Sequence, residues 1–339
     1  MKNICIINTG GTIGMSRGAK GYQPKKGFLA SQLEALPELS RDEMPSYELV
    51  EFDPVMDSSD MMPSDWQAIA EIIFKRYDDF DGFVVLHGTD TMAYTASALP
   101  FLLAGLNKTV IITGSQIPMS EVRNDARENL ITAIMLAADF DVPEVCVLFG
   151  KHLLRGCRTT KFSASSFDAF ESPNYPPLAT VGTRIDLDES AIRRPQNSSG
   201  ISLKKIEAQE VATFRLFPGV SAAVLRNLLQ QPLKALVLES FGVGNGPTTN
   251  PDFTDAIREA TKAGTIIVNC SQCRHGSVRQ TNYATGTALS EAGAISGGDQ
   301  TIETAIAKLL FLFSGELSND QVKTRMQTNM VGELTTDHI

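Results

Sequence analysis

Short runs of β-branched and apolar residues, each followed by a stretch of helical spacing, recur along most of this chain. That alternation constrains the fold more than any other feature. The runs are Ile4–Asn8, Phe83–His87, Val110–Thr113, Val145–Phe149, Ala235–Leu238 and Thr265–Asn269. Most are apolar throughout, the pattern of strands covered on both faces. Between them, Ser64–Tyr77 sets Trp66, Ile69, Ile73 and Tyr77 at helical spacing behind a good N-cap residue. Asn124–Ala138 and Asp299–Phe313 behave similarly. Strand–helix alternation implies a mostly parallel sheet, so the expected class is α/β with three layers. The length of 339 residues suits two such domains, the first larger. The Pro-, Asn-, Ser- and Gly-rich segment within Asp186–Gly200 reads as the boundary. The expected division is 1–190, a linker at 191–212, and 213–339.

Charge narrows the function. The net charge is −9 and the basic residues are scattered, so nothing attracts nucleic acid or an anionic membrane. Small neutral or zwitterionic substrates remain. The run Ile4–Ile7 meets a glycine turn at once, too short for a signal-peptide core or a membrane span. The five cysteines, at 5, 146, 157, 270 and 273, are odd in number and loosely spread, as reduced thiols would be. The expected location is cytoplasmic.

In open α/β sheets, ligands bind beyond the carboxyl ends of strands, and three such ends carry polar clusters. Asn8-Thr9-Gly10-Gly11-Thr12-Ile13-Gly14 follows the first strand. Its spacing matches neither a dinucleotide fingerprint nor a P-loop, and the glycines alone fit a tight strand exit. Thr12, however, is a hydroxyl held among residues that let a substrate approach closely. The segment runs on through Gly18, Gly21, Tyr22 and Gly27, spaced as in a mobile lid. His87-Gly88-Thr89-Asp90-Thr91 sets two hydroxyls around a carboxylate, although Asp90 suits equally the N-cap of a helix starting near Thr91. Arg158-Thr159-Thr160-Lys161 offers a lysine beside hydroxyls, which acts as a base only when its charge is suppressed; most lysines are surface residues. Asp57-Ser58-Ser59-Asp60 suits a small carboxylate, or simply a turn.

Two further patterns lead elsewhere. Cys270-Ser271-Gln272-Cys273 has C-x-x-C spacing with His275 nearby, but no second ligand pair accompanies it. No metal and no cofactor are expected. His87 has no Gly-x-Ser-x-Gly elbow to join, and reads as structural.

Taken together and in order, Thr9-Gly10-Gly11-Thr12-Ile13-Gly14, then Leu86-His87-Gly88-Thr89-Asp90-Thr91-Met92, then Thr159-Thr160-Lys161 resemble the bacterial L-asparaginase family. The resemblance extends through Asp57–Met61, Gly114-Ser115-Gln116, Ser172-Pro173-Asn174 and Gly242–Gly246, essentially the whole chain. It is most similar to the cytoplasmic type I branch. The resemblance implies an active site in the larger N-terminal domain and hydrolysis of L-asparagine through a threonine-bound aspartyl ester. Thr12 would be the nucleophile, Tyr22 would hydrogen-bond it from the lid, and Thr89, Asp90 and Lys161 would move protons. Asp57, Ser58 and Ser59 would form the binding loop, the two serines holding the substrate α-carboxylate, and Asp90 would pair with the α-ammonium. Asn245 would come from a neighbouring subunit, implying a homodimer or a dimer of dimers.

Two departures from the family bear on specificity. The acidic residue by which secreted members bind the amine has no counterpart near Gln280-Thr281-Asn282. A regulatory asparagine site in some type I enzymes uses an arginine where this chain has Glu239, and a carboxylate there repels the effector; Ser271, Gln272 and Cys273 would line the same place. Weak or absent activation by asparagine is therefore expected. The rival readings are a glutaminase-asparaginase, a non-catalytic amino-acid sensor, an amidotransferase subunit that lacks the expected basic RNA-facing surface, and a nucleotide-binding module resting on Gly10-Gly11 alone.

Overall fold

A computed structural model describes residues 2–18, 21–194, 200–230 and 232–335. The Pro195–Ser199 core of the expected linker lies outside the described residues. The chain forms two compact units, Met1–Lys204 and Lys205–Ile339.

The first unit begins with β1 (Asn3–Gly10), the hairpin β2 (Met15–Gly18) and β3 (Gly21–Pro24), α1 (Phe28–Glu34) and β4 (Ser46–Met56). Then come α2 (Pro63–Lys75), β5 (Gly82–Leu86), α3 (Met92–Leu102), the short β6 (Leu103–Ala104), β7 (Val110–Thr113) and α4 (Ala126–Asp139). It continues with β8 (Val145–Phe149), β9 (His152–Arg155), β10 (Thr160–Lys161), β11 (Phe170–Glu171), β12 (Ala179–Val181), β13 (Ile185–Leu187) and β14 (Ser202–Leu203). Eight of these strands form one sheet in the order β13-β12-β9-β8-β7-β5-β1-β4. The strands β4, β1, β5, β7 and β8 run parallel, and β9, β12 and β13 extend the edge antiparallel.

Burial explains why the central strands are apolar throughout. Ile4, Ile6, Val84, Leu86 and Ile111 pack with Leu130, Ala133, Ile134 and Ala137 of α4. Their alternates Cys5, Ile7, Phe83, Val85 and Ile112 point to the other face and are also fully buried. Helix α2 starts one residue before Ser64: Pro63 occupies its first turn, and the Met62 N–H donates to the Asp65 carboxylate at 2.7 Å. Residues 191–212 divide among several roles. Ala191 and Ile192 sit in the first core, β14 pairs with β6, and Val211 opens a strand of the second unit.

The second unit contains β15 (Val211–Arg215), α5 (Ala222–Leu229), β16 (Ala235–Ser240), α6 (Pro251–Lys262) and β17 (Ile266–Ser271). It ends with α7 (Ala284–Glu291), β18 (Ile295–Ser296), α8 (Ile302–Phe313) and α9 (Asn319–Met326). Its four strands form a parallel sheet in sequence order. Leu236, Leu238 and Ile267 face Leu225, Phe253 and Ile257, whereas Val237, Ile266 and Val268 face Leu309, Leu312 and Val322. A period-2 strand thus feeds two cores, which makes the unit three-layered.

Candidate active site

Parallel strands end on the same edge of a sheet, and that geometry assembles the site in the first unit. In register, Asn8 of β1 lies opposite Leu86 of β5, and Leu86 lies opposite Thr113 of β7. The loops after β1, β4, β5 and β7 carry Thr12, Asp57–Ser59, Thr89–Asp90 and Gln116, so residues spread over a hundred positions meet at one rim.

Glycines let these loops touch. Gly11 has φ +83°, and a Cβ there would lie 2.3 Å from the Gly88 nitrogen. Its N–H donates to the Met56 carbonyl at 3.1 Å, which joins the Thr12 turn to the end of β4. A Cβ on Gly88 would lie 2.4 Å from Ser58 Oγ. Thr12 begins a 3-10 turn, Thr12–Gly14, whose Ile13 and Gly14 are buried while Thr12 itself is half-buried. The glycines therefore have a close-packing reason beyond a tight strand exit.

Around Thr89 the side chains form a connected set. Lys161 Nζ lies 2.8 Å from Thr89 Oγ1 and 2.8 Å from Asp90 Oδ1. Helix α3 takes Thr91 as its N-cap without a side-chain bond, so Asp90 faces the lysine and is not the cap. The Lys161 side chain is mostly covered, which separates it from the usual solvated lysine. It arrives by a detour: β9 runs back along the sheet, and the chain returns past α3, where a Cβ on Gly156 would sit 2.6 Å from the Ala96 carbonyl. The short pair β10–β11 then presents it.

In the loop after β4, Asp57 caps the 3-10 turn Ser58–Asp60. Its Oδ1 accepts the Ser59 N–H at 3.0 Å and the Ser59 hydroxyl at 2.9 Å. Asp57 thus shapes the loop, as the turn reading holds, while Ser58 is buried against Gly88 and its carbonyl accepts the Thr91 hydroxyl at 2.7 Å.

Tyr22 departs from expectation. It sits exposed on the β2–β3 hairpin and donates its hydroxyl to Glu121 Oε1 at 2.7 Å rather than to Thr12. Accepting that bond, the Glu121 carboxylate holds the phenol above its usual pKa. The reason is placement: the loop after β7 lies beneath the hairpin and supplies a stronger acceptor than a hydroxyl.

His87 is structural, as read. It is fully buried, with one ring nitrogen 2.7 Å from the Gly88 carbonyl and the other 2.7 Å from Thr95 Oγ1. Burial depresses its pKa to about 4.

The sequence reading gave no role to several residues that the structure ties to the site. Gln116 approaches Thr89 Oγ1 at 3.3 Å, Asp125 accepts the Gln116 and Ile117 N–H groups, and Glu51 bridges Asn8 Nδ2 and the Gly27 N–H. Only Gln116 stood in a quoted motif; the carboxylates look like ordinary surface acids in a linear reading.

In the second unit, Glu239 ends up between Arg215 and Cys270 in the register of β15, β16 and β17. Arg215 Nη1 pairs with its carboxylate at 2.9 Å. Gln272 Nε2 donates to the Leu216 and Glu239 carbonyls, and Ser271 donates to the Gly242 carbonyl while accepting the Cys273 N–H. The four residues therefore do cluster, mostly committed to bonds among themselves and their strands. Asn245 accepts the Thr285 hydroxyl at 2.8 Å. Cys270 is buried, its thiol pushed up to about 12 by burial first and then by Glu239, whereas Cys273 is exposed. Among the described residues, no group of three or more His, Cys, Asp or Glu side chains is placed to hold a metal. No helix there is long and apolar enough to cross a membrane.

Known proteins match along the full length. Residues 3–193 match the family described as "Asparaginase, N-terminal", and residues 210–326 that described as "Glutaminase/Asparaginase C-terminal domain". The chain is 48% identical over 336 residues to L-asparaginase 1 of Escherichia coli, covering 99% of each. It is 41% identical to the human 60 kDa lysophospholipase, covering 98% of this chain and 62% of that protein. Among solved structures, L-asparaginase I from Vibrio cholerae superposes with a TM-score of 0.91 at 45% identity, over 99% of both chains.

Proposed function

This chain belongs to the asparaginase family, and on that premise we propose that it hydrolyses L-asparagine to L-aspartate and ammonia through a threonine-bound aspartyl ester. The observation that carries the reading is the hydrogen-bonded set Lys161–Thr89–Asp90, held beside the Thr12 loop by the contact of Gly11 with Gly88.

The Thr12 hydroxyl oxygen attacks the side-chain amide carbon and its proton passes to the Lys161–Thr89 pair. The tetrahedral adduct collapses, the C–N bond breaks, and ammonia leaves with the proton returned. Water then attacks the ester carbonyl, again giving up a proton to the same groups, and aspartate departs with the Thr12 hydroxyl restored. One difficult step becomes two easier ones, and proton transfer contributes on the order of 10²–10⁴-fold. Ser58 and Ser59 receive the substrate α-carboxylate. Asp90, whose side chain is 66% exposed while Oδ1 holds Lys161, receives the α-ammonium. Tyr22 serves as a lid residue that must leave Glu121 before it can reach Thr12.

The finer points belong to the same proposal. The working unit is a homodimer or a dimer of dimers in which Asn245 of the partner subunit approaches the substrate, and the compartment is the cytoplasm. Glutamine is the second substrate to consider, because the matched second domain is described for glutaminases as well. One extra methylene changes specificity by only ~1–3 kcal/mol.

The test is ammonia release from L-asparagine and L-glutamine by the wild-type chain and Thr12→Ala. Rapid asparagine turnover that falls by at least about 10³-fold in the variant supports the reading. Undiminished turnover in Thr12→Ala removes Thr12 as nucleophile, and an inactive wild-type chain that aspartate still stabilises against heat points to a sensor.

A further inference from the structure

The turn that carries Thr12 is tied to the neighbouring strand by two side chains that the proposed chemistry does not use. Asn8, near the end of β1, and Glu51, within β4, are partners in register. Beyond them the pairing shifts, and the next matched pair is Gly10 with Met56. Asn8 is 2% exposed. Its Oδ1 accepts the Gly10 N–H at 3.0 Å, and its Nδ2 donates to Glu51 Oε2 at 2.8 Å. Glu51 Oε1 accepts the Gly27 N–H at 2.6 Å, where the chain leaves the β2–β3 hairpin and enters α1.

The donor and acceptor inventory fixes the direction of every bond. A backbone N–H only donates, so the Asn8 oxygen must face Gly10 and its amide nitrogen must face Glu51. An ionised carboxylate only accepts, and Glu51 takes one hydrogen from Asn8 and one from Gly27. Two of the three bonds thus end on a charge, the stronger kind. Gly10 packs directly on β4, where a Cβ would lie 2.2 Å from the Met56 carbonyl oxygen. The segment from Gly10 to Gly27 contains Thr12 and the whole hairpin with Tyr22, and one connected pair of side chains holds both of its ends.

We infer that Asn8 and Glu51 are positioning residues, which together fix the Gly10–Thr12 turn on β4, and with it the place of the Thr12 hydroxyl, while anchoring the exit of the hairpin. The inference rests on the role proposed for Thr12. Both side chains act on the reaction through the backbone that carries Thr12, whereas Ser58, Ser59 and Asp90, proposed to receive the substrate, lie on other loops. Loosening the pair therefore lowers kcat more than it raises KM, since a misplacement of about 1 Å costs on the order of 10²-fold in rate.

A swap of the two side-chain chemistries tests the bonds themselves. In Glu51→Gln a single amide oxygen faces two N–H donors, and in Asn8→Asp two carboxylates face each other. Combining the two substitutions restores all three bonds with the middle one reversed, at unchanged total charge. The carboxylate introduced at position 8 then accepts from Gly10 and from the amide introduced at position 51, whose oxygen accepts from Gly27. With L-asparagine, kcat should fall on the order of 10- to 100-fold in each single variant with KM changed less than about 3-fold. The double variant should return to within about 5-fold of wild type. Amide hydrogen exchange at Gly10 should quicken in the single variants and slow again in the double. Lys26→Met removes the neighbouring exposed pair Lys26–Asp53 and leaves these bonds in place, so kcat should stay within about 2-fold.

Full kcat in both single variants overturns the inference, and so does a double variant in which the two losses multiply. A loss in Lys26→Met as deep as in Glu51→Gln assigns the effect to the foot of the hairpin and also counts against it. Should Asn8→Asp not fold, Glu51→Gln against the double variant makes the same comparison. The wild-type chain in the same assay keeps the two failures apart. If it releases no ammonia, the proposed function fails; if it does and both single variants match it, only this inference fails.

Discussion

At the scale of single residues, identity mattered less than surroundings. His87 and Thr89 are two positions apart, yet one is a neutral ring sealed between Gly88 and Thr95 and the other is bonded to Lys161 and Gln116. Asp90 looks in sequence like a helix cap, and the lysine 71 residues away decides otherwise. Glu239 stands where the resemblance sets the effector-binding arginine of some type I enzymes, and its carboxylate is already paired with the nearby guanidinium of Arg215. An effector carboxylate would meet a filled ion pair. The asparagine dependence of the rate is accordingly expected to be hyperbolic. A sigmoidal curve in the wild-type chain that persists in Glu239→Ala overturns this.

At the scale of elements, the site is built from strand ends and the close approach of the loops that leave them. Gly88 is one of the tight points, since any Cβ there enters the space of Ser58 Oγ at 2.4 Å and Ser58 Cβ at 2.7 Å. Gly88→Ala must push the Ser58 loop outward, at a cost of about 1–3 kcal/mol. We expect a lower melting temperature and a KM for asparagine raised roughly 10-fold or more, on the order of 1.4 kcal/mol of binding. Adding Ser58→Gly should restore the melting temperature but not KM. Recovery of both would mean that Ser58 Oγ does not hold the substrate. The hairpin β2–β3 follows the same logic at its base. Glu51 of β4 accepts the Gly27 N–H at 2.6 Å and Asn8 Nδ2 at 2.8 Å, and Asn8 Oδ1 accepts the Gly10 N–H at 3.0 Å. One carboxylate thereby connects the foot of the hairpin to the turn that carries Thr12.

At the scale of the whole molecule, stability also rests on charges in the core. Lys308 and Glu333 are both 0% exposed, 2.5 Å apart, and Lys308 also donates to the Met326 and Thr328 carbonyls. Glu333 accepts the Met330 and Val331 N–H groups, which ties the segment after α9 onto α8. Removing one partner strands a buried charge and costs about 3–5 kcal/mol. Lys308→Met should therefore destabilise the second unit by that amount in chemical denaturation, and Lys308→Met with Glu333→Leu should recover most of it. Equal losses in the single and double variants would show that packing, not charge, governs this place. Denaturation should be followed by two probes, because two units need not unfold together.

The sequence by itself determined the central strands β1, β5, β7, β8, β16 and β17, the helices α2, α4 and α8, the three-layer α/β class and the motifs at the strand ends. Each of these is written in contiguous residues: an apolar run of strand length, a helical repeat, a glycine beside a hydroxyl. Even so, β4, with charges among its apolar residues, the antiparallel edge strands β9, β12 and β13, the strands β15 and β18 of the second sheet, and the hairpin under Tyr22 escaped that reading. Their local pattern is weak and their place is set by partners. What only the tertiary structure decided is who meets whom. The bond from Lys161 to Thr89 spans 72 residues, that from Tyr22 to Glu121 spans 99, and that from Gln116 to Ser166 spans 50. Such pairings depend on the order and register of strands in the sheet, which bring distant loops to one edge, and no local periodicity encodes that order.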